Sequence, residues 1–216
     1  MVEAPLSGLY AVTPDFADTS ELLRAVTAVL DGGCRLLQYR NKTADAPLRH
    51  AQATALQTLC SMYGARLIVN DDVRLAQSVG AAGVHLGRDD GEMAFARKML
   101  GDAAIIGASC YTDFSRACKT VDAGASYIAF GAVYPSPSKP AAPLAPHTLI
   151  ARARAELSLP VCVIGGITLE NAAPLVAAGA SLLAVISDLF RGDTTYIRNR
   201  AAAYQQLFQE NPRHAQ

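Results

Sequence analysis

Short apolar runs alternate with longer amphipathic stretches along the whole chain, and glycine and proline mark most of the joins. The runs GLYAVT near residue 8, RLLQYR near 35, RLIVN near 66, GVHL near 83, AIIGAS near 104, SYIAFG near 126, PVCVIGG near 160 and SLLAV near 181 have the length and aliphatic content of buried strands. Segments such as Glu21 to Leu30, Leu48 to Tyr63, Asp113 to Ala123, Leu149 to Leu157 and about Thr195 to Phe208 suit helices. Repeated strand and helix units predict parallel strands joined by helical crossovers, and eight of them close into a barrel. The expected fold is therefore α/β, a single (β/α)8 TIM barrel. No low-complexity linker divides the chain, so one domain is expected over 1–216, with a short lead-in to about residue 7 and a tail from about 210.

Three related turns, at Gly80-Ala81-Ala82-Gly83, Ala123-Gly124-Ala125-Ser126 and Ala178-Gly179-Ala180-Ser181, read as helix stops leading into the next strand, each with a glycine at the left-handed cap. They belong to the bottom of the barrel and to packing. Chemistry is expected at the other end, in the loops that follow the strands.

Bulk properties narrow the function. The 216 residues carry 19 Lys plus Arg and 19 Asp plus Glu, a formal charge of zero, which argues against a general nucleic-acid surface and makes any anion site local. No apolar run approaches the roughly 20 residues needed to cross a bilayer, and the N-terminus has an acidic residue where a secretory signal carries basic ones. A cytoplasmic protein without membrane contact is expected. Cys34, Cys60, Cys110, Cys118 and Cys162 form no Cys-x-x-Cys pair and read as structural thiols. The oligomeric state is left open by the sequence, and oligomers are possible.

The chemically loaded residues lie at the predicted strand ends. Gln38, Arg40 and Lys42 alternate at the end of the second strand, so in extended chain all three point the same way and form a cradle for phosphate or diphosphate. Asn70-Asp71-Asp72 follows the third strand and Arg88-Asp89-Asp90 the fourth, so that Asp71 with Asp89 or Asp90 can share one Mg2+, an ion that takes one or two carboxylates and completes its shell with water and phosphate. Helix capping is the competing role for either acidic cluster. Gly107-Ala108-Ser109 follows the fifth strand, and a proline-stiffened loop carrying Ser136, Ser138 and Lys139 follows the sixth. Ile164 to Thr168 and Ile186-Ser187 follow the seventh and eighth, where such barrels recurrently bind phosphate on backbone N–H groups. Two anion sites imply two phosphorylated small-molecule substrates. His85, inside a strand, is expected to be a packed, hydrogen-bonded imidazole.

These elements, in this order, resemble the thiamine phosphate synthase family: Gln38-Tyr39-Arg40-Asn41-Lys42, Asn70-Asp71, Val84-His85-Leu86-Gly87 with Asp90, Gly107-Ala108-Ser109, Ser136 to Pro140 and Ile164 to Ile167. The resemblance implies a transferase that couples hydroxymethylpyrimidine diphosphate with thiazole phosphate, giving thiamine phosphate and pyrophosphate by a dissociative, magnesium-assisted substitution. It implies that Gln38, Arg40, Lys42, Asn70, Ser109 and Lys139 hold the pyrimidine diphosphate, with Arg40, Lys42, Ser109 and Lys139 catalytic. Asp71 and Asp90 would bind Mg2+, and Ser136, Ser138, Gly166, Ile186 and Ser187 the thiazole phosphate. The chain departs from the family pattern at Ser136 and Ser138, usually threonines, at Arg88, usually glutamine, and at Ala132, usually proline. A thiazole tautomerase-like isomerase on the same barrel, or a non-catalytic binding protein, would need neither the diphosphate cradle nor the metal carboxylates.

Overall fold

A computed structural model describes residues 6–87, 91–135 and 143–210. Its strands are β1 (Gly8–Val12), β2 (Leu36–Tyr39), β3 (Arg66–Asn70), β4 (Gly83–Leu86), β5 (Ile105–Tyr111), β6 (Tyr127–Gly131), β7 (Val161–Ile164) and β8 (Leu182–Val185). The helices are α1 (Thr19–Asp31), α2 (Ala46–Met62), α3 (Val73–Val79), α4 (Gly91–Leu100), α5 (Phe114–Asp122), α6 (His147–Glu156), α7 (Leu169–Ala177) and α8 (Thr194–Gln209). Every strand pairs in parallel with its sequence neighbour, and β8 returns to β1 in the register Leu9 with Leu183, closing the barrel. The expected TIM barrel is the observed one. The segments picked out as helical did not include α3, α4 or α7.

Strand alternation builds two cores. Leu9, Ala11, Leu37, Leu67, Val69 and Leu183 face outward against the helices. Tyr10, Leu36, Ile68, Ile105, Tyr127 and Leu182 fill the barrel interior. The expected bottom turns are present, with Gly80, Gly124 and Gly179 at φ of 66°, 85° and 108°. Five helices, α1, α2, α3, α5 and α8, start behind an aspartate whose carboxylate accepts the N3 backbone N–H at 2.6 to 3.1 Å: Asp18, Asp45, Asp72, Asp113 and Asp193. Each cap contributes about 1 kcal/mol and removes one acid from the chemical inventory. All five cysteines are free thiols, and no described helix is long and apolar enough to cross a membrane.

The loop after β8 is anchored by one buried carboxylate. Asp188 accepts from Arg200 Nε at 2.7 Å, Arg200 Nη2 at 2.9 Å, Tyr204 Oη at 2.6 Å and the backbone N–H of Leu169 at 3.2 Å, so it joins the β8 loop to α8 and to the start of α7. Burial pushes its carboxyl up, but the Arg200 and Tyr204 hydrogen bonds and the Arg200 charge outweigh that, leaving it below the ordinary carboxylate value. A lowered pKa means that its stabilisation is complete above the unfolded value, near pH 4, and fades as pH falls through the lower folded value. Replacing Asp188 by Ala leaves the Tyr204 hydroxyl without its acceptor and Arg200 with Glu170 alone. The expected cost is about 3–5 kcal/mol, a melting-temperature drop of roughly 10 °C, and the wild-type advantage should shrink in melts taken below pH 4. A variant that melts like wild type at pH 7 would remove Asp188 from this role.

Candidate active site

The mouth of the barrel on its β2–β3 side is a cleft of about 540 Å³ lined by Arg40, Lys42, Arg49, Asn70, Asp71, Arg74 and Phe95, among others. Arg40 and Lys42 reach it from a loop. The expected strand alternation ends at Tyr39, and beyond it the chain wraps around Asn41, whose Nδ2 donates to the Phe16 carbonyl at 2.7 Å and to Gln52 Oε1 at 3.0 Å. Asn41 Oδ1 in turn accepts the N–H groups of Thr43 and Ala44. Arg40 is held by its backbone, which exchanges hydrogen bonds with Thr13 Oγ1, and Lys42 by its N–H to Asp15 Oδ1 at 2.9 Å. Asp15 also lies 3.4 Å from Arg40 Nη1 across half-exposed surface, a weak restraint on the side chain. Gln38, the last inward residue of β2, is buried and does not line this cleft.

The acidic triplet after β3 splits by role. Asp72 caps α3 through Leu75 N. Asp71 adopts a left-handed backbone, φ 61°, pinned by its N–H to the His85 carbonyl at 2.8 Å, and this turns its carboxylate toward the cleft. Asn70 Nδ2 donates to Asp71 Oδ2 at 2.7 Å, whereas Asp71 Oδ1 takes no hydrogen bond from the described residues. Asp90, with Arg88 and Asp89, lies outside the described residues. No group of three His, Cys, Asp or Glu able to hold a metal converges among the described residues. One exposed carboxylate oxygen beside a cationic cleft nonetheless fits Mg2+, whose usual shell is largely water and substrate phosphate.

Sequence reasoning missed several residues here. Arg49 and Arg74 lie in the first turns of α2 and α3, immediately after the β2 and β3 loops, a position that points to the mouth. Arg49 Nε is buried without a hydrogen-bond partner, and the Arg74 guanidinium sits 5.9 Å from the Phe95 ring centre. Arg116 ties the ends of β4 and β5 together, donating from Nε to the Ser109 carbonyl and from Nη2 to the Gly87 carbonyl, both at 2.7 Å.

Below the mouth, a chain of side chains crosses the barrel. Gln38 Nε2 donates to Tyr10 Oη, Tyr10 Oη meets Tyr127 Oη, and Tyr127 Oη meets His85 Nδ1, each at 2.8 Å; His85 Nε2 then meets Ser109 Oγ at 2.9 Å. Burial holds the His85 imidazole down at about 4, so it is neutral near pH 7, the packed imidazole expected from its place in β4. Gly107 has no side chain because the Tyr127 ring occupies that space, and β5 shifts register immediately after Ser109.

On the opposite side, the β6 and β7 loops are joined by Val133 N to Ile164 O and Tyr134 N to Gly165 O, both 3.0 Å. Gly166, at φ 64°, packs so closely on Tyr134 and Pro135 that any side chain would collide. Of the junction expected to offer N–H groups to phosphate, Thr168 turns its N–H inward, as does the next residue, Leu169. Thr168 N donates to Asn171 Oδ1 at 2.8 Å, and Leu169 N donates to Asp188. The N–H groups of Gly166 and Ser187 have no partner among the described residues, and Ile186 packs against the barrel interior. Ser136, Ser138 and Lys139 lie outside the described residues.

Residues 9–189 match the family model described as thiamine monophosphate synthase. The chain is 56% identical over 204 residues to the thiamine-phosphate synthase of Azoarcus sp. strain BH72, covering 94% of this chain and 98% of that protein. It is 53% identical over 207 residues to the thiamine-phosphate synthase of Thiobacillus denitrificans, covering 95% and 96%. Among solved structures, the thiamine phosphate pyrophosphorylase of Pyrococcus furiosus superposes with a TM-score of 0.82 at 27% identity, covering 96% of this chain and 98% of that one. Barrel closure, the cationic cleft and these likenesses along nearly the whole chain agree: this chain belongs to the thiamine-phosphate synthase family.

Proposed function

We propose that this transferase joins hydroxymethylpyrimidine diphosphate to thiazole phosphate, releasing pyrophosphate and forming thiamine phosphate. The observation that carries the reading is the convergence of Arg40, Lys42, Asn70 and Asp71 on one cleft, in a chain whose relatives bear the synthase name. In this reading the diphosphate lies in the cleft and the pyrimidine lies over the barrel axis between Gln38 and Ser109. The thiazole phosphate is bound across the mouth by the N–H groups of Gly166 and Ser187, beside Ile186, with Ser136 and Ser138 as further contacts. A thiazole isomerase or a binding module would have no use for the cation-lined cleft.

Negative charge grows on the leaving diphosphate as its bond to the pyrimidinylmethyl carbon breaks. Fixed cations therefore interact more strongly with the transition state than with the ground state. Arg40 presents a planar donor fork and Lys42 a point charge, with Lys139 assigned to the same group by family resemblance. Mg2+, held by Asp71 and Asp90, would supply additional charge neutralisation on the diphosphate oxygens when bound. The electron-rich aminopyrimidine stabilises the resulting cation, and holding the thiazole nitrogen nearby makes its capture effectively unimolecular. His85 and the tyrosines stay uncharged in the interior, so no protein cation opposes the developing positive charge there.

Purified protein should release pyrophosphate and form thiamine phosphate only when both substrates are present, with loss on chelation by EDTA and recovery on adding Mg2+. Pyrophosphate without thiamine phosphate, or no turnover at all, contradicts the reading. Arg40→Ala and Lys42→Ala should each lower kcat by about 10² or more at an unchanged melting temperature. If either variant turns over at the wild-type rate, its side chain does not meet the diphosphate.

A further inference from the structure

The interior hydrogen-bond chain has a direction. Gln38 presents its amide nitrogen to Tyr10. The contacts from Tyr10 to Tyr127 and from Tyr127 to His85 could each run either way, so the Gln38 amide sets their sense: with its nitrogen on Tyr10, the Tyr10 proton goes to Tyr127 and the Tyr127 proton to His85 Nδ1. A neutral imidazole that accepts at Nδ1 carries its proton at Nε2, so it donates to Ser109 Oγ. The Ser109 proton then has nowhere to go within the chain and points to whatever occupies the mouth. At the other end, Gln38 uses its nitrogen inward, which leaves Oε1 as an acceptor with no partner among the described residues. Reversing any single link sets two donors or two acceptors against each other in a water-poor interior, where an unmade bond is not replaced by solvent.

We propose that this chain fixes the character of its two ends, so that Gln38 offers an acceptor and Ser109 a donor, and that Tyr10, Tyr127 and His85 are positioning residues selecting a 4-aminopyrimidine over its 4-oxo counterpart. The inference rests on the pyrimidine site assigned under the proposed function. An amino ring brings an N–H donor and an unprotonated ring nitrogen, which match those two ends. An oxo ring replaces the amino donor with a carbonyl acceptor and places a proton on a ring nitrogen, so it mismatches both. Three features show that the chain is built into the barrel: Gly107 clears the path of the Tyr127 ring, Tyr10 and Tyr127 pack edge to face at 5.7 Å, and His85 stacks on Tyr127 at 5.6 Å. None of these side chains touches the cation cleft, so their effect is separable from diphosphate binding.

The test measures binding of 4-amino- and 4-oxo-5-hydroxymethyl-2-methylpyrimidine by calorimetry, and turnover of the two diphosphates by pyrophosphate release. Wild type should favour the amino compound about 10²-fold or more. Tyr127→Phe and Tyr10→Phe, each removing one hydroxyl and the two links it makes, should reduce that preference about tenfold while leaving KM for thiazole phosphate unchanged. Equal wild-type binding of the two rings overturns the proposal. So does a folded variant that melts lower yet keeps the wild-type preference, because that is purely structural behaviour. Should Tyr127→Phe fail to fold, Tyr10→Phe decides. Wild type that binds the amino ring selectively but turns over neither diphosphate would sink the synthase reading and leave the directional chain standing.

Discussion

Closure of β8 onto β1 is the constraint on which the rest of the molecule depends. Once the sheet has no edge, every second strand residue points into an interior that water cannot freely fill. Apolar residues there need only fit, whereas each polar residue must find a partner inside. Tyr10, Gln38, His85, Ser109 and Tyr127 come from five strands and satisfy one another in sequence. The same closure brings the ends of all eight strands to one mouth, so loops far apart in the chain share a single site.

The two sides of that mouth are held by different means. On the β2–β3 side, short polar contacts shape the loops: Asn41 and Thr13 hold the backbone of the first, and a left-handed Asp71 forms the second. Their cationic side chains remain available to a ligand. On the β7–β8 side, the buried Asp188 fixes the loops to α7 and α8, and the available groups are backbone N–H donors. Cationic side chains on one side of the mouth thus face backbone N–H donors on the other.

Capping decided which acids are left for chemistry. Asp72 and Asp71 are neighbours with similar sequence credentials, and only the dihedral angles at the turn send one to the helix and the other to the cleft. A capped Asp113 likewise starts α5 just after the β5 end. Of the roles weighed for Asn70-Asp71-Asp72, capping falls to Asp72, while Asp71 turns its carboxylate to the cleft.

The order of apolar runs and turn residues determined the barrel, because eight short apolar runs alternating with amphipathic helical segments have few other ways to bury their surface. The local motifs Gln38 to Lys42, Asn70-Asp71 and Gly107 to Ser109 determined the family likeness, since each is a short stretch whose chemistry is carried by consecutive residues. Tertiary structure alone decided the pairings of residues distant in sequence. Tyr10 meets Tyr127 across 117 positions, Arg49 and Arg74, which belong to no motif, enter the cleft of Arg40, Lys42 and Asp71, and Asp188 takes the N–H of Leu169 at the start of α7. Strand alternation also failed beyond Tyr39, where hydrogen bonds to Asn41 bend the chain out of extension. Periodicity records which side of an element is buried, but which partner waits there depends on how the sheet closes.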